Sequence, residues 1–229
     1  MNQQELSQAR RVLADLQAYE GAQFILPPDL APSSPENAAV SPATATSLEE
    51  YRLEICECQN CPLGKTRRNF VFGSGSAAVG IMFVGEAPGA DEDRQGLPFV
   101  GKAGQLLTKI IEATGLRREE VYICNVLKCR PPGNRDPNPE EIASCEPYLK
   151  RQIEIVQPKI ICTLGRISTQ ALLKTSAPMR ALRGMLHEYE GIPLIATYHP
   201  AALLRNLQWK RGTWEDMKWL RREYDGVQL

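Results

Sequence analysis

The sequence predicts an α/β fold: a mainly parallel sheet with helices on both faces. Three observations carry that expectation. Four short apolar runs of β type occur at 79–84, 121–127, 159–164 and 193–197. Stretches with helical spacing separate or follow them, at 102–114, 139–156, 166–174 and 213–224. Strands alternating with helices make βαβ units. The 229 residues suit one such domain with a tail, and 43% hydrophobic residues suffice for a full core.

In chain order, residues 4–19 place Leu6, Val12, Leu13 and Leu16 near one helical face, so 1–20 reads as an N-terminal helical segment. Residues 21–46 hold five prolines among Ala and Ser, a composition that cannot bury a core and reads as a flexible linker. The folded body is expected from Ser47, over 47–229. A leading helix that merely frays is the first expectation for a terminus, and docking of a partner is the other.

In open α/β sheets, ligands sit beyond the carboxyl ends of the strands. Those ends are Gly85–Gly89, Asn125–Arg130, Gly165–Arg166 and Tyr198–Pro200. The run 85–89 (GEAPG) specifies a sharp turn, with the Glu86 carboxylate where a strand opens into a pocket. There are two histidines. His187 lies in a polar turn and reads as surface. His199, at a strand end and followed by Pro200, suits a hydrogen-bond donor or acid–base group. The apolar stretch Ala201–Leu204 before Arg205 reads either as a helix packing into the core or as a wedge for a duplex.

Residues 96–103 (GLPFVGKA) approach a phosphate-binding loop, but Ala103 replaces the hydroxyl residue that would ligate Mg²⁺. Pro98 has no N–H to offer a phosphate. Nucleotide triphosphate binding is therefore not expected.

Formal charge is balanced, 27 basic against 27 acidic residues, but unevenly placed. Residues 1–57 carry 9 acidic and 3 basic side chains, and 58–229 carry 24 basic and 18 acidic. An acidic leader of −6 thus hides a body of +6. The chain shows no apolar run long enough to span a membrane and no secretory leader pattern, so a cytoplasmic location is expected.

Seven cysteines then need explaining in a reducing compartment. Cys58-x2-Cys61 and the distant pair Cys129 and Cys145 can meet on one flank of the sheet as four thiolates. Four thiolates suit Zn²⁺ or an iron–sulfur cluster, and the spacing leaves both open. Cys56 is a nearby competitor; Cys124 and Cys162 fall in predicted strands as buried thiols.

Together these segments resemble family 4 of the uracil-DNA glycosylase superfamily. The resemblance lies in 58–67 (CQNCPLGKTR), 85–107 (GEAPGADEDRQGLPFVGKAGQLL), 125–149 (NVLKCRPPGNRDPNPEEIASCEPYL) and 197–205 (TYHPAALLR). It extends from about Leu53 to Asp225. It implies a three-layer α/β/α sandwich around a four-stranded, mostly parallel sheet. It also implies a structural [4Fe–4S] cluster on Cys58, Cys61, Cys129 and Cys145. Activity would be hydrolytic release of uracil from single- or double-stranded DNA, by a monomer that flips the base.

By the same resemblance, Glu86 positions the attacking water and Ala87 offers a backbone N–H beside the uracil. Phe99 stacks on the flipped base, Asn125 reads its Watson–Crick edge, and His199 supports charge on O2. Glu92 lies near the C5 edge, helping exclude the methyl of thymine. From their places at the strand-end face, Leu203 and Leu204 with Arg205 are expected to fill the gap in the duplex, and Lys102, Lys128, Arg130, Arg135, Arg166 and Arg205 to contact phosphates. A subgroup that becomes covalently trapped on DNA carries GEQPG and a basic insert. This chain has Glu86-Ala87 and no such insert, so turnover is expected. A DNA-binding module without chemistry, or a cluster-dependent redox sensor, are the alternatives. Were the N-terminal segment a docking element and not a fraying one, its partner would be another repair or replication protein; the enzyme would be nucleoid-associated when bound to DNA.

Overall fold

The computed structural model describes residues 47–76 and 80–227. The expected helical segment and linker, residues 1–46, lie outside the described residues. The described chain begins with α1 (Leu48–Ile55), the short strand β1 (Ser74–Gly75), β2 (Ile81–Gly85), α2 (Ala90–Gln95) and α3 (Lys102–Ala113). It continues through β3 (Tyr122–Asn125), α4 (Pro139–Val156), β4 (Ile160–Leu164), α5 (Arg166–Leu173) and α6 (Met179–Leu182). It closes with β5 (Leu186–Tyr189), β6 (Ile192–Thr197), α7 (Pro200–Arg205) and α8 (Trp209–Val227). The four expected strands and four expected helices all form, with α8 starting earlier than its periodicity suggested.

The sheet order is β1-β3-β2-β4-β6-β5. The inner four strands are parallel, as expected, and β1 and β5 add antiparallel edges, giving six strands instead of four. Strand β5 escaped the sequence pattern because its burial is that of an edge, with Leu186 and Glu188 exposed.

Period-2 alternation divides the sheet residues between two cores. Met82, Val84, Tyr122, Cys124, Ile161 and Leu194 face one layer with Tyr51 of α1, Leu149 and Ile153 of α4, and Leu172 of α5. Ile81, Phe83, Ile123, Ile160, Cys162 and Ile195 face the other, with Leu107 and Ile111 of α3 and Met217 and Leu220 of α8. Each such side chain, fully buried, contributes about 1.5–3 kcal/mol. The result is a three-layer α/β/α sandwich.

After β2 the chain passes to the α3 layer, whereas after the neighbouring β4 it passes to the α5 layer. Chains leaving adjacent parallel strands for opposite faces open a crevice between their carboxyl ends. That crevice lies between Glu86 and Gly165, flanked by Asn125 and His199. Among the described residues, no helix is long and apolar enough to cross a membrane.

Candidate active site and cysteine site

Parallel register pairs Gly85 with Asn125 at the ends of β2 and β3. The pairing runs on past the strands, with Val126 N–H donating to Gly85 O at 2.9 Å and Leu127 N–H to Glu86 O at 3.0 Å. A Cβ on Gly85 would collide with Asn125 Oδ1 and lie 2.5 Å from Phe99 Cζ. The missing side chain is therefore what allows an amide and an aromatic ring to converge. Asn125 is 1% exposed, and its Oδ1 is buried with no hydrogen-bond partner. A buried carbonyl left unpaired costs about 1–3 kcal/mol, which marks a place prepared for a ligand's donor.

Phe99 adopts a left-handed backbone, φ 52°, rare for an aromatic residue. Helix α3 holds it there: a Cβ on Gly104 would overlap the Phe99 carbonyl, so only glycine allows so close an approach. The Phe99 ring lies 5.6 Å from the His199 ring, tilted by 34°.

Glu92 locks the loop leading to Phe99. Its Oε1 accepts N–H bonds from Val100 at 2.8 Å and Gly101 at 2.9 Å, and its Oε2 accepts from Gly89 at 3.1 Å. The amides of the near-phosphate loop are thus used internally, in line with rejecting it as a nucleotide site. Glu92 acts on the pocket through the loop it closes.

Glu86 is half-buried in the crevice, with Ala87 packed against the core beside it. Burial, reinforced by the Asp136 carboxylate and opposed by Arg166, raises the Glu86 pKa to about 7. Asp136 and Arg166 pair with each other at 2.6 Å. His199 caps α7, its Nδ1 accepting the Ala201 N–H at 3.1 Å. Burial first, then the Arg205 charge, press its pKa down to about 4, with Glu92 opposing. The ring is neutral at pH 7, and the backbone bond to Nδ1 leaves its proton on Nε2 as a donor. Gly165, at φ 97°, gives His199 room: a Cβ there would stand 2.8 Å from His199 Cβ.

Three expectations are corrected. Lys128 is not a surface phosphate contact, since it is 0% exposed, with Nζ donating to Asn125 O and Gln152 Oε1. Leu203 is 1% exposed, packed inward on α7, and cannot serve as a wedge; Leu204, on the outer face, is 46% exposed. On this six-residue helix one leucine turns inward, as the core-packing reading expects, and the next turns outward. Lys102 and Arg205 are exposed, and Arg130 is half-buried and tied to Asn134. Arg135 is committed to Glu141 through two bonds of 2.8 and 2.6 Å. His187, expected at the surface, is half-buried on β5, its Nε2 2.7 Å from Leu182 O.

The four cysteines come from the turn between α1 and the 3₁₀ helix Pro62–Lys65, the loop after β3, and α4. All are free thiols, and Cys129 and Cys145 sense each other or Cys61 electrostatically. Polar hydrogens converge on them: Tyr148 OH donates to Cys58 Sγ at 3.1 Å, Arg67 Nη1 to Cys129 Sγ at 3.4 Å, and the Asn60 N–H to Cys58 Sγ at 3.5 Å. The Lys128 N–H bonds Cys145. Such donors favour thiolates over thiols. Burial, opposed by the N–H and charge of Lys128, still pushes Cys145 up to about 12. Cys56 turns away, its thiol donating to Leu53 O at 3.5 Å. Cys124 and Cys162 are fully buried in β3 and β4. Among the described residues, no three His, Cys, Asp or Glu side chains are grouped to grip a single metal ion.

Sequence reasoning missed one supporting network. Buried Asp216 of α8 accepts Thr197 Oγ1 at 2.6 Å and both Arg183 donors at 2.8 and 2.9 Å. The Arg183 guanidinium in turn lies 4.2 Å above the Tyr198 ring. It braces the strand end just before His199. No sequence signal links positions so far apart.

The fold and the strand-end residues define a class: an α/β protein that gathers an amide, an aromatic ring and an imidazole at the carboxyl ends of its parallel strands, near exposed Lys102 and Arg205. A family model, "Uracil DNA glycosylase superfamily", matches residues 72–218. A type-4 uracil-DNA glycosylase of Archaeoglobus fulgidus is 46% identical over 180 residues, 75% of this chain and 90% of that protein. Another, of Sulfurisphaera tokodaii, is 47% identical over 76% of this chain and 84% of its own length. A type-5 uracil-DNA glycosylase of Pyrobaculum aerophilum is 33% identical over 54% of the chain. The chain belongs to the uracil-DNA glycosylase superfamily and, within it, to the type-4 family.

Proposed function

We propose that the protein is a monofunctional uracil-DNA glycosylase. It hydrolyses the bond between uracil and deoxyribose in DNA and leaves an abasic site for base-excision repair. The observation that carries this reading is Asn125 Oδ1, buried and unpartnered beneath Phe99 and beside a neutral His199.

A base inside a duplex is out of reach, so the nucleotide rotates into the crevice at a cost of a few kcal/mol. Stacking on Phe99 returns about 1–3 kcal/mol. Asn125 accepts uracil N3–H through Oδ1 and donates its amide to O4; cytosine presents the reverse pattern and would leave buried groups unpaired. Ala87 lines the same edge. Glu92 holds the loop against the C5 side, leaving no room for a methyl group.

As the glycosidic bond breaks, negative charge grows on uracil and positive charge on the sugar. The Nε2–H of His199 donates to O2, and one well-placed donor lowers such a barrier by about 3–4 kcal/mol. A neutral imidazole can do this without first losing a proton. Glu86, ionised above its raised pKa, orients water and offsets the cationic sugar. Lys102, Arg130 and Arg205 contact phosphates, and Leu204 enters the vacated stack.

Cys58, Cys61, Cys129 and Cys145 would hold a [4Fe–4S] cluster, for which four thiols with N–H and O–H donors are a fitting set. When bound, the cluster ties residues 58–61, the loop after β3 and α4 together, a structural task. The test is alkali cleavage of a uracil-containing oligonucleotide after incubation with iron-loaded protein. Scission at the uracil is expected, and an intact strand overturns the reading.

A further inference from the structure

The loop between Asn125 and Cys129 holds a lysine in an unusual place. Lys128 is 0% exposed, and among the described residues no carboxylate pairs with it. Its ammonium donates to the backbone carbonyl of Asn125 at 2.6 Å and to Gln152 Oε1 at 2.5 Å. Gln152, on α4 and also 0% exposed, is held by its own amide, which donates to Phe72 O and to Tyr122 OH, both at 2.9 Å. The main chain of Lys128 is anchored too: its carbonyl accepts the Val71 N–H at 2.9 Å, its N–H is directed at the Cys145 thiol, and its peptide bond leads straight into Cys129.

An unbranched apolar side chain would fill this space without the desolvation a buried cation suffers. What it could not do is fix the Asn125 carbonyl, which sits beyond the end of β3. The titratable groups nearest the ammonium are the thiols of Cys124, Cys145 and Cys129. One residue thus touches the base pocket with its side chain and the cysteine site with its backbone.

We propose that Lys128 is a positioning residue: its ammonium, braced by Gln152, pins Asn125 in the orientation that reads the base, and ties that orientation to the filled four-cysteine site. This rests on the pocket reading above. A shift of the loop at Cys129 or Cys145 moves Lys128, and Asn125 follows through one short hydrogen bond.

The test uses iron-loaded full-length protein and two variants, Lys128→Met and Gln152→Leu, compared at equal iron-to-protein ratio. Affinity for free uracil is measured by calorimetry, kcat and KM separately on a uracil oligonucleotide, and the visible circular dichroism of the cluster with and without uracil. Lys128→Met is expected to weaken uracil binding at least tenfold and to lower kcat, with KM for DNA within twofold because phosphate contacts set it. Uracil is expected to perturb the cluster's spectrum in the wild type and not in the variant. Gln152→Leu should act in the same direction, more weakly, and is read alone if Lys128→Met fails to load iron. Wild-type uracil affinity in whichever variant loads iron overturns the proposal, as does a loss confined to thermal stability. Failure of the wild type to bind uracil or cleave the oligonucleotide overturns the pocket reading instead, so the two failures are distinguishable.

Discussion

Asn125 Oδ1 occupies the space that a side chain on Gly85, its partner across the parallel strands, would need. Phe99 closes on the same point from the other side. Neither neighbour is free to yield: Asn125 is held by Lys128 and Phe99 by the close approach of Gly104. Gly85→Ala is therefore expected to cost about 1–3 kcal/mol of stability from overpacking. It should also lower kcat/KM on a uracil oligonucleotide at least a hundredfold. Near-normal turnover would show that the pocket is looser than this geometry.

Replacing Asn125 itself separates activity from stability. Its Oδ1 makes no bond in the free protein, so Asn125→Ala removes an unpaired buried carbonyl along with some packing. Thermal unfolding should move by only a few degrees while uracil release falls by about two orders of magnitude or more. A large loss of stability with retained activity would assign Asn125 to the core.

Glu86 sets the pH dependence. With its pKa raised to about 7, kcat/KM should climb through pH 6–7 as the carboxylate ionises and level off above it. Glu86→Gln should abolish that limb and most of the rate. The same shift has a stability consequence of defined sign. A carboxyl whose folded pKa lies above its ordinary value keeps its stability below about pH 4.5 and loses it as pH rises through 7. Glu86→Gln should thus raise the melting temperature at pH 8 and leave it unchanged at pH 4. Equal shifts at both values contradict the assignment.

His199 should contribute no inflection between pH 5 and 9, because burial and Arg205 hold its pKa near 4. His199→Ala loses the donor to O2, a cost of about 3–4 kcal/mol in the transition state, or a factor of about 10²–10³ in kcat. It also uncaps α7, a cost of about 1 kcal/mol. His199→Asn keeps a capping oxygen and an amide donor, so stability should recover fully and activity in part. Recovery of neither would make the role of His199 one of packing.

Adjacent leucines should part company. Leu203→Ala opens a buried cavity and is expected to cost about 2–5 kcal/mol, read by chemical denaturation. Leu204→Ala, at an exposed position, should leave stability untouched and slow excision from duplex DNA more than from single strands. Equal slowing on both substrates removes Leu204 from the duplex wedge role.

Much of this architecture was legible in the residues. The runs at 79–84 and 159–164 became β2 and β4 because an inner strand is apolar on both faces and shows itself locally. The carboxyl ends of β2, β3 and β6 then placed Glu86, Asn125 and His199 at one edge of the sheet through topology alone. Strand β5 was not legible, since an edge strand with exposed Leu186 and Glu188 carries no burial pattern. Lys128 was misplaced for a comparable reason. Beside Cys129, Arg130 and two prolines it reads as a surface loop, and nothing nearby shows that Gln152 waits beneath it.

The sequence by itself determined the four inner strands, their helical layers and the chemical identity of the pocket side chains, because β and α periodicities and strand-end positions are local properties. Only the tertiary structure decided which atoms meet and in what protonation state. Gly85, Phe99 and Asn125 converge from three separate segments, and steric exclusion at that point depends on all of them. The neutral ring of His199 and the raised pKa of Glu86 come from desolvation and from charges on Arg205 and Asp136, set by how distant parts of the chain enclose them.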